Sequence, residues 1–344
     1  MLVLVPTLLV LLSSAIFASI SWRARKRRDR SAVLVPAGFV GAASSAVNAM
    51  RLRMLAAVVA GILVFAIFAF APIAALHLSL GLTIGPGAGA LAACLVIAAF
   101  PMPRALPSTG VRQADLTPRE TTSFGPRWGF ILPLVSAAFL VLFLIATASL
   151  ARETDYTYLS REIGLMTPGG YQTSTPYPGW FYAVPLLAVT VLLSGGVLLA
   201  LRRVAGARSL GPLDLTPLDA AIRRATTRFV MLLSSSVIVL YLGATALIAG
   251  SALRNVSYWG EETPAFLHKL ENLSPSQAMA IPVTSHDFIN GVVEPQYTSG
   301  AIESVVGIVL IGFAIMLFIL AFVAFSIRWS AAAVEQPSHE RVPA

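Results

Sequence analysis

The chain has 344 residues, of which 57% are hydrophobic and only 12% are charged, and its mean hydropathy is +0.80. Soluble domains carry about 25% charged residues, so this composition excludes an ordinary soluble protein and predicts a membrane protein with several spans. The formal net charge is +8 at pH 7, but the arrangement of the charges along the chain indicates membrane topology rather than nucleic-acid binding. The single cysteine, Cys94, excludes an internal disulfide.

Seven apolar stretches are long enough, or nearly long enough, to form the helix of about 20 residues that a bilayer core requires. No basic residue precedes the first stretch, and the basic cluster RARKRRDR follows it at 23–30. This arrangement favours a retained reverse signal anchor over a cleaved signal peptide. The predicted fold class is an all-α integral membrane protein with about seven transmembrane helices, at residues 2–21, 54–76, 84–102, 129–150, 181–201, 229–250 and 304–327.

The basic residues orient these spans. If the amino terminus is outside, the inside segments 22–53, 103–128, 202–228 and 328–344 hold 20 of the 24 basic residues. The positive-inside rule therefore places the carboxyl terminus inside. Because 22 of the 24 basic residues are arginine, as a GC-rich genome would encode, we expect a bacterial plasma membrane whose anionic headgroups contact the cytoplasmic face.

The string DLTP occurs at 115–118 and again at 214–217. In each copy a threonine can cap a helix, a proline can take the first helical position, and an acid follows at the third. After Pro217 the pattern predicts an interfacial helix with Arg223 and Arg224 off its apolar face. The predicted helix caps are Thr117 with Glu120 and Thr216 with Asp219. A second echo follows the spans, where the spacing of Ser149, Arg152 and Tyr156 recurs in Ser251, Arg254 and Tyr258. Together these echoes predict a parallel repeat of two-helix hairpins.

The stretch GFVGAASSAVNAM at 38–50 is interpreted as a loose linker rather than a surface helix.

The spans and the repeat divide the chain into six segments. The segments are an N-terminal reverse signal-anchor helix at 1–22, a basic cytoplasmic segment at 23–53, a first helical hairpin with a cytoplasmic linker at 54–114, a second hairpin at 115–213 with an outer loop at 151–180, a third hairpin at 214–327 with an outer loop at 252–303, and a cytoplasmic tail at 328–344.

Small and hydroxyl-bearing residues recur within the spans at helical spacing. Small residues four or seven apart allow two helices to approach closely, and this predicts helix-packing positions at Gly81, Gly85, Gly89 and Ala93 and at Gly307, Ala314 and Ala321. Hydroxyls could line a polar seam at Thr190, Ser194, Ser234, Ser235 and Ser236. The alternative, which we favour, is that these hydroxyls bond to the backbone of their own helices.

The outer loops carry the aromatic and arginine side chains that are common in binding surfaces. The predicted outer binding surface comprises Arg152, Tyr156, Arg161, Arg254, Tyr258 and Trp259. The alternative, which we favour, is that the aromatic residues anchor the loops at the membrane interface while the arginines pair with acidic residues. A metal site could be drawn from His268, Glu271, His286 and Asp287, but it lacks a recognised ligand spacing. We therefore predict no metal and no cofactor.

The reverse anchor, the arginine-rich first cytoplasmic segment and the Ala-, Leu- and Val-rich hairpins resemble uncharacterised multi-span membrane proteins of actinobacteria. This resemblance covers composition and layout, and it implies a host but no function. The chain has no GxSxG element, phosphate-binding loop or dinucleotide fingerprint, so a membrane enzyme is the least favoured function. The sequence predicts a non-catalytic accessory, assembly or scaffold subunit that binds another membrane protein or forms a homo-oligomer. The alternative is a permease-like component for a small or amphipathic solute.

Overall fold

The computed structural model describes residues 33–70, 80–100, 127–151, 161–167, 170–207, 215–260, 290–292, 294–323 and 329–331. Several predictions concern residues outside this set. They are the first span at 2–21, the cap residues Thr117 and Glu120, the outer-surface residues Arg152 and Tyr156, and the weak metal-site residues at 268–287.

Six long helices make up most of the described residues. Each is long and apolar enough to cross a membrane, which confirms the α-helical membrane class and fits a multi-pass membrane protein. A short 3-10 turn, Ala37–Phe39, leads into the first helix. The helices are α1 (Val40–Phe70), α2 (Leu80–Ala99), α3 (Arg127–Leu150), α4 (Trp180–Gly206), α5 (Thr216–Ser257) and α6 (Glu294–Val323).

The helices differ in how far the rest of the chain covers them. In α5, 67% of the most apolar stretch is buried within the protein, whereas the share is 22% in α3 and in α6. Large apolar side chains such as Phe70 and Leu134 are exposed, as expected for helix faces that contact lipid tails. The helix with the most protein neighbours is therefore α5.

The helices α1 and α6 begin at Val40 and Glu294, at least ten residues before their predicted spans at 54–76 and 304–327, whereas α5 begins at the predicted cap, Thr216. The interpretation of 38–50 as a loose linker is wrong, because α1 starts at Val40. Its small and apolar residues Ala43, Ala46, Val47 and Met50 recur three or four positions apart and are buried, so they form a helical packing face. The predicted interfacial helix and the sixth span are one continuous helix of 42 residues, α5.

Six short strands pair outside the helices. β2 (Ile163–Thr167) and β3 (Gly170–Ser174) form an antiparallel hairpin, and β4 (Tyr258–Gly260) pairs antiparallel with β5 (Asn290–Val292). β1 (Val33–Val35) pairs in parallel with β6 (Trp329–Ala331), in the register Val33 with Trp329. This pairing brings the residues that precede α1 beside residues that follow α6.

The described residues fall into two compact units. The hairpin unit lies within 136–188 and 238–314 and contains β2 to β5. The basic unit includes the described residues of 33–135, 189–237 and 315–331, with β1 and β6. Each unit has its own packing and its own polar groups.

Candidate functional site

Arg223 is the largest fully buried side chain in the basic unit, with 0% of its surface exposed. Its Nη1 donates to the carbonyl oxygens of Val204 at 2.6 Å and Ala205 at 3.1 Å, and its Nη2 donates to that of Ala207 at 2.8 Å. Its Nε bonds to the Asp219 carboxylate at 2.8 Å. The last carbonyls of a helix lack partners within the helix, so Arg223 caps α4 and fixes the end of α4 against the start of α5. We call this contact the α4–α5 junction.

The sequence prediction for Arg223 is therefore wrong, since the side chain does not lie off the packing face.

A second arginine makes a similar contact: Arg53 on α1 is 6% exposed and donates from Nη2 to the carbonyl oxygen of Ile97, in the last turn of α2. Both contacts add a positive charge at the negative end of a helix dipole. These arginines stabilise the fold.

One of the two predicted cap residues of α5, Asp219, also takes part in the junction. Thr216 is the first residue of α5, and Asp219 lies in its first turn. The carboxylate of Asp219 binds Arg223. Asp219 therefore pairs with the arginine one turn later, and its negative charge also stabilises the positive end of the helix dipole.

The predicted small-residue positions lie at close helix contacts. Gly81, Gly85, Gly89 and Ala93 are buried on α2, and a Cβ on Gly89 would lie 2.6 Å from the carbonyl oxygen of Gly61 on α1. On α6, a Cβ on Gly307 would lie 2.7 Å from that of Gly243 on α5, and Ala314 and Ala321 are buried. In both pairs the two backbones touch, and a larger residue would separate them.

The four serine hydroxyls of the predicted polar seam are bonded within their own helices. Ser234 and Ser235 donate to the carbonyl oxygen of Met231, and Ser236 donates to that of Leu233. Ser194 donates to the carbonyl oxygen of Thr190, whose side chain is 4% exposed. These serine hydroxyls therefore donate to the backbone of their own helices, as the alternative to a polar seam predicted.

In the hairpin unit, the loop between α3 and α4 shares a core with the end of α5. Ile163 and Tyr177 pack against Ala249, Ala252 and Val256. The backbone N–H of Tyr177 donates to the carbonyl oxygen of Arg161 at 2.9 Å. Tyr177 is 1% exposed, and burial together with the nearby Glu303 carboxylate raises its pKa to about 12. This phenol stays neutral well above physiological pH.

The ends of α5 and α6 beside this core meet at glycine. A Cβ on Gly250 would lie 2.5 Å from the carbonyl oxygen of Gly300, and one on Gly300 would lie 2.7 Å from that of Gly250. The close approach brings the polar residues of both helices together, and Arg254 lies over the ring of Tyr297, 5.4 Å from its centroid. This cation–π contact leaves the edge of the guanidinium available for hydrogen bonds.

We define the α5–α6 polar cluster as Arg254, Gln296, Tyr297 and Glu303, with Tyr177 beside it. Three of its buried atoms, Arg254 Nε, Gln296 Oε1 and Glu303 Oε2, have no hydrogen-bond partner among the described residues. Most buried polar atoms in proteins have such a partner. One donor on α5 and two acceptors on α6 are therefore left without partners where the two helices pack together.

The structure assigns different positions to the predicted outer-surface residues that it describes. Arg254 belongs to the cluster, and Arg161 contacts Tyr177 through its carbonyl oxygen. Tyr258 and Trp259 lie in β4, where they pair with Val292 and Gly291. Among the described residues, no group of three or more His, Cys, Asp or Glu side chains could hold a metal ion.

Sequence reasoning missed Gln296, Tyr297 and Glu303, because they precede or begin the predicted seventh span. A signal was present in the spacing of the glycines. Gly243 and Gly250 are seven apart, as are Gly300 and Gly307. Matching intervals of seven on two helices indicate a packing seam. Extending that seam to Gly300 would have predicted that the polar residues beside it, Gln296, Tyr297 and Glu303, face another helix.

Comparisons with known proteins add no relative to this description. No protein family, curated protein or solved structure matches the chain.

Proposed function

We propose that this chain is a non-catalytic accessory, assembly or scaffold subunit that binds another membrane protein through the α5–α6 polar cluster. The observation that carries the proposal is the group of three buried atoms without partners in the part of the chain that the structure describes. Each buried polar atom without a hydrogen bond costs about 1–3 kcal/mol. A partner that supplies those bonds recovers this free energy on binding.

The chemistry of the three atoms favours a polypeptide partner. Arg254 Nε needs an acceptor, whereas Gln296 Oε1 and Glu303 Oε2 need donors. A protein main chain presents both kinds of group side by side, and a basic side chain could in addition pair with Glu303. The aromatic ring of Tyr297, already beside Arg254, adds the kind of anchor that is enriched in protein interfaces.

A permease path along the hydroxyl seam is the weaker proposal, because the hydroxyls of Ser234, Ser235 and Ser236 are buried and bonded to their own helix. Water or a solute in such a path would have to compete with these bonds. The lack of catalytic motifs keeps a membrane enzyme as the third proposal.

We also propose the number of membrane spans and the side of the membrane on which each loop lies. Seven spans, with residues 2–21 as the first, would put the loops at 151–180 and 252–303 outside a bacterial plasma membrane and the segments at 22–53, 103–128, 202–228 and 328–344 inside it. The charges support this orientation: the described residues of the inside segments contain eight arginines and one acid, whereas those of the outer loops contain two arginines and three glutamates. We also propose the parallel repeat of hairpins, on the basis of the two DLTP strings.

The test is affinity purification of the tagged protein from its native membrane in a mild detergent, with mass spectrometry of the proteins that accompany it. We expect a stoichiometric partner with the wild type, and at least tenfold less of it with Glu303→Gln, because losing one partner of a buried charged hydrogen bond costs about 2–5 kcal/mol. The matched control is Glu162→Gln, in the same unit but outside the cluster. It should retain the partner.

Two results would contradict the proposal. One is a wild-type protein that is recovered alone or only with itself. The other is a partner captured equally well by Glu303→Gln and Glu162→Gln, with both variants folded as judged by gel filtration.

A further inference from the structure

The described residues of the basic unit carry an arginine excess that their own carboxylates do not neutralise. Asp219 is the one acidic residue among its described residues. Both carboxylate oxygens of Asp219 contact Arg223, Oδ2 at 2.8 Å from Nε and Oδ1 at 3.4 Å from Nη2. No other carboxylate in this part of the chain can balance the remaining arginines.

Four of these arginines lie around the α4–α5 junction with exposed side chains. Arg202 and Arg203 are near the end of α4, and Arg224 and Arg228 are on α5, one helical turn apart. The bonds from Arg223 to Val204, Ala205 and Ala207 hold the two helix segments together. The four exposed arginines are therefore carried by two helix segments that a buried contact holds side by side.

The position and chemistry of this group favour an anion from the bilayer. Guanidinium groups bind phosphate oxygens through two parallel hydrogen bonds. The arginines lie at the ends of membrane-spanning helices, where phospholipid headgroups are found, and basic pockets between such helices bind anionic lipids. Four positive charges close together also repel one another unless an anion lies among them.

We propose that Arg202, Arg203, Arg224 and Arg228 form a binding site for the phosphodiester headgroup of an anionic phospholipid. Arg223 is the positioning residue, because it fixes the junction from within and has no exposed surface. This site is separate from the α5–α6 polar cluster and does not depend on the function proposed for that cluster.

The experiment measures thermal unfolding of the full chain in a mild detergent, titrated with phosphatidylglycerol, phosphatidylcholine or inorganic phosphate. We expect phosphatidylglycerol alone to raise the melting temperature of the wild type. Replacing all four arginines by glutamine should weaken the apparent affinity for phosphatidylglycerol at least tenfold. Replacing them by lysine should preserve part of the effect, since the charges remain while the paired hydrogen bonds are lost.

The control is Arg51→Gln, which removes an exposed arginine of the same unit on α1 and should leave the titration unchanged. If the fourfold variant does not fold, Arg202→Gln with Arg203→Gln provides the same comparison. The proposal is wrong if phosphatidylglycerol stabilises the glutamine variants as much as the wild type. It is also wrong if inorganic phosphate, or phosphatidylcholine, stabilises the wild type equally well.

Discussion

Arg223 and Arg254 lie near opposite ends of α5, and they differ in how fully their N–H groups are used. Arg223 donates from all three of its nitrogens, to one carboxylate and three backbone carbonyls. Arg254 lies over the ring of Tyr297, and its buried Nε has no acceptor among the described residues. One helix thus carries an arginine whose bonds are satisfied within the fold and another whose bonds are not.

The two ends of α5 are also held to their neighbours by different means. At the α4–α5 junction a long side chain reaches the carbonyls at the end of another helix. At Gly250 and Gly300 the two backbones touch without side chains between them. The backbone contact fixes the helices, while Arg254 Nε and Glu303 Oε2 beside it have no hydrogen-bond partner among the described residues. The difference teaches that burial alone does not mark an arginine as a binding residue, because a buried guanidinium such as that of Arg223 can be satisfied within the fold.

The largest effect is expected at the satisfied arginine. Arg223→Leu would leave the Asp219 carboxylate and the carbonyls of α4 without their donors, and breaking a buried pair of this kind costs about 3–5 kcal/mol. The measurement is the free energy of unfolding in detergent. Arg224→Leu, the exposed neighbour, should change it by no more than about 0.5 kcal/mol. Equal effects of the two variants would show that the buried hydrogen bonds of Arg223 do not stabilise the α4–α5 junction.

Much of the fold could be predicted from the sequence, because helix formation in a bilayer depends mainly on the length of an apolar run. Thus α3, from Arg127 to Leu150, nearly coincides with its predicted span, since Arg127 and Arg152 bound its apolar residues. The first turns of α1 were missed because they contain serines, an asparagine and arginines. Packing against neighbouring helices stabilises these turns, and that information is not local.

The candidate site could be predicted only in part. Arg254 was named because it follows an apolar run and stands near aromatic residues. Glu303 was not, because a single carboxylate at the edge of a span is usually solvated. The burial of its Oε2 depends on Gly300 allowing α6 to approach α5. Likewise, only the position of the end of α4 determines that Arg223 is buried while Arg224 is exposed.

An intermediate effect is expected where the helices touch at glycine. Gly250→Ala would place a Cβ 2.5 Å from the carbonyl oxygen of Gly300, and overpacking of this kind costs about 1–3 kcal/mol. Gly195→Ala on α4 is the control, because a Cβ there has no neighbour within 4 Å and alanine favours a helix by up to about 1 kcal/mol. The two melting temperatures should therefore move in opposite directions. A shift of the same sign for both would show that the contact at Gly250 is not tight.

The smallest effect on stability is expected at the unsatisfied arginine. A double-mutant cycle with Arg254→Met and Tyr297→Leu should give a coupling of about 0.5–1 kcal/mol, the size of a partly exposed cation–π contact. Unfolding is measured in detergent for both single variants and the double variant. Because Arg254 Nε has no acceptor in the described part of the chain, Arg254→Met should destabilise the fold far less than Arg223→Leu. If the two losses are similar, Arg254 stabilises the fold in the way that Arg223 does. The α5–α6 polar cluster would then need no partner to explain its composition.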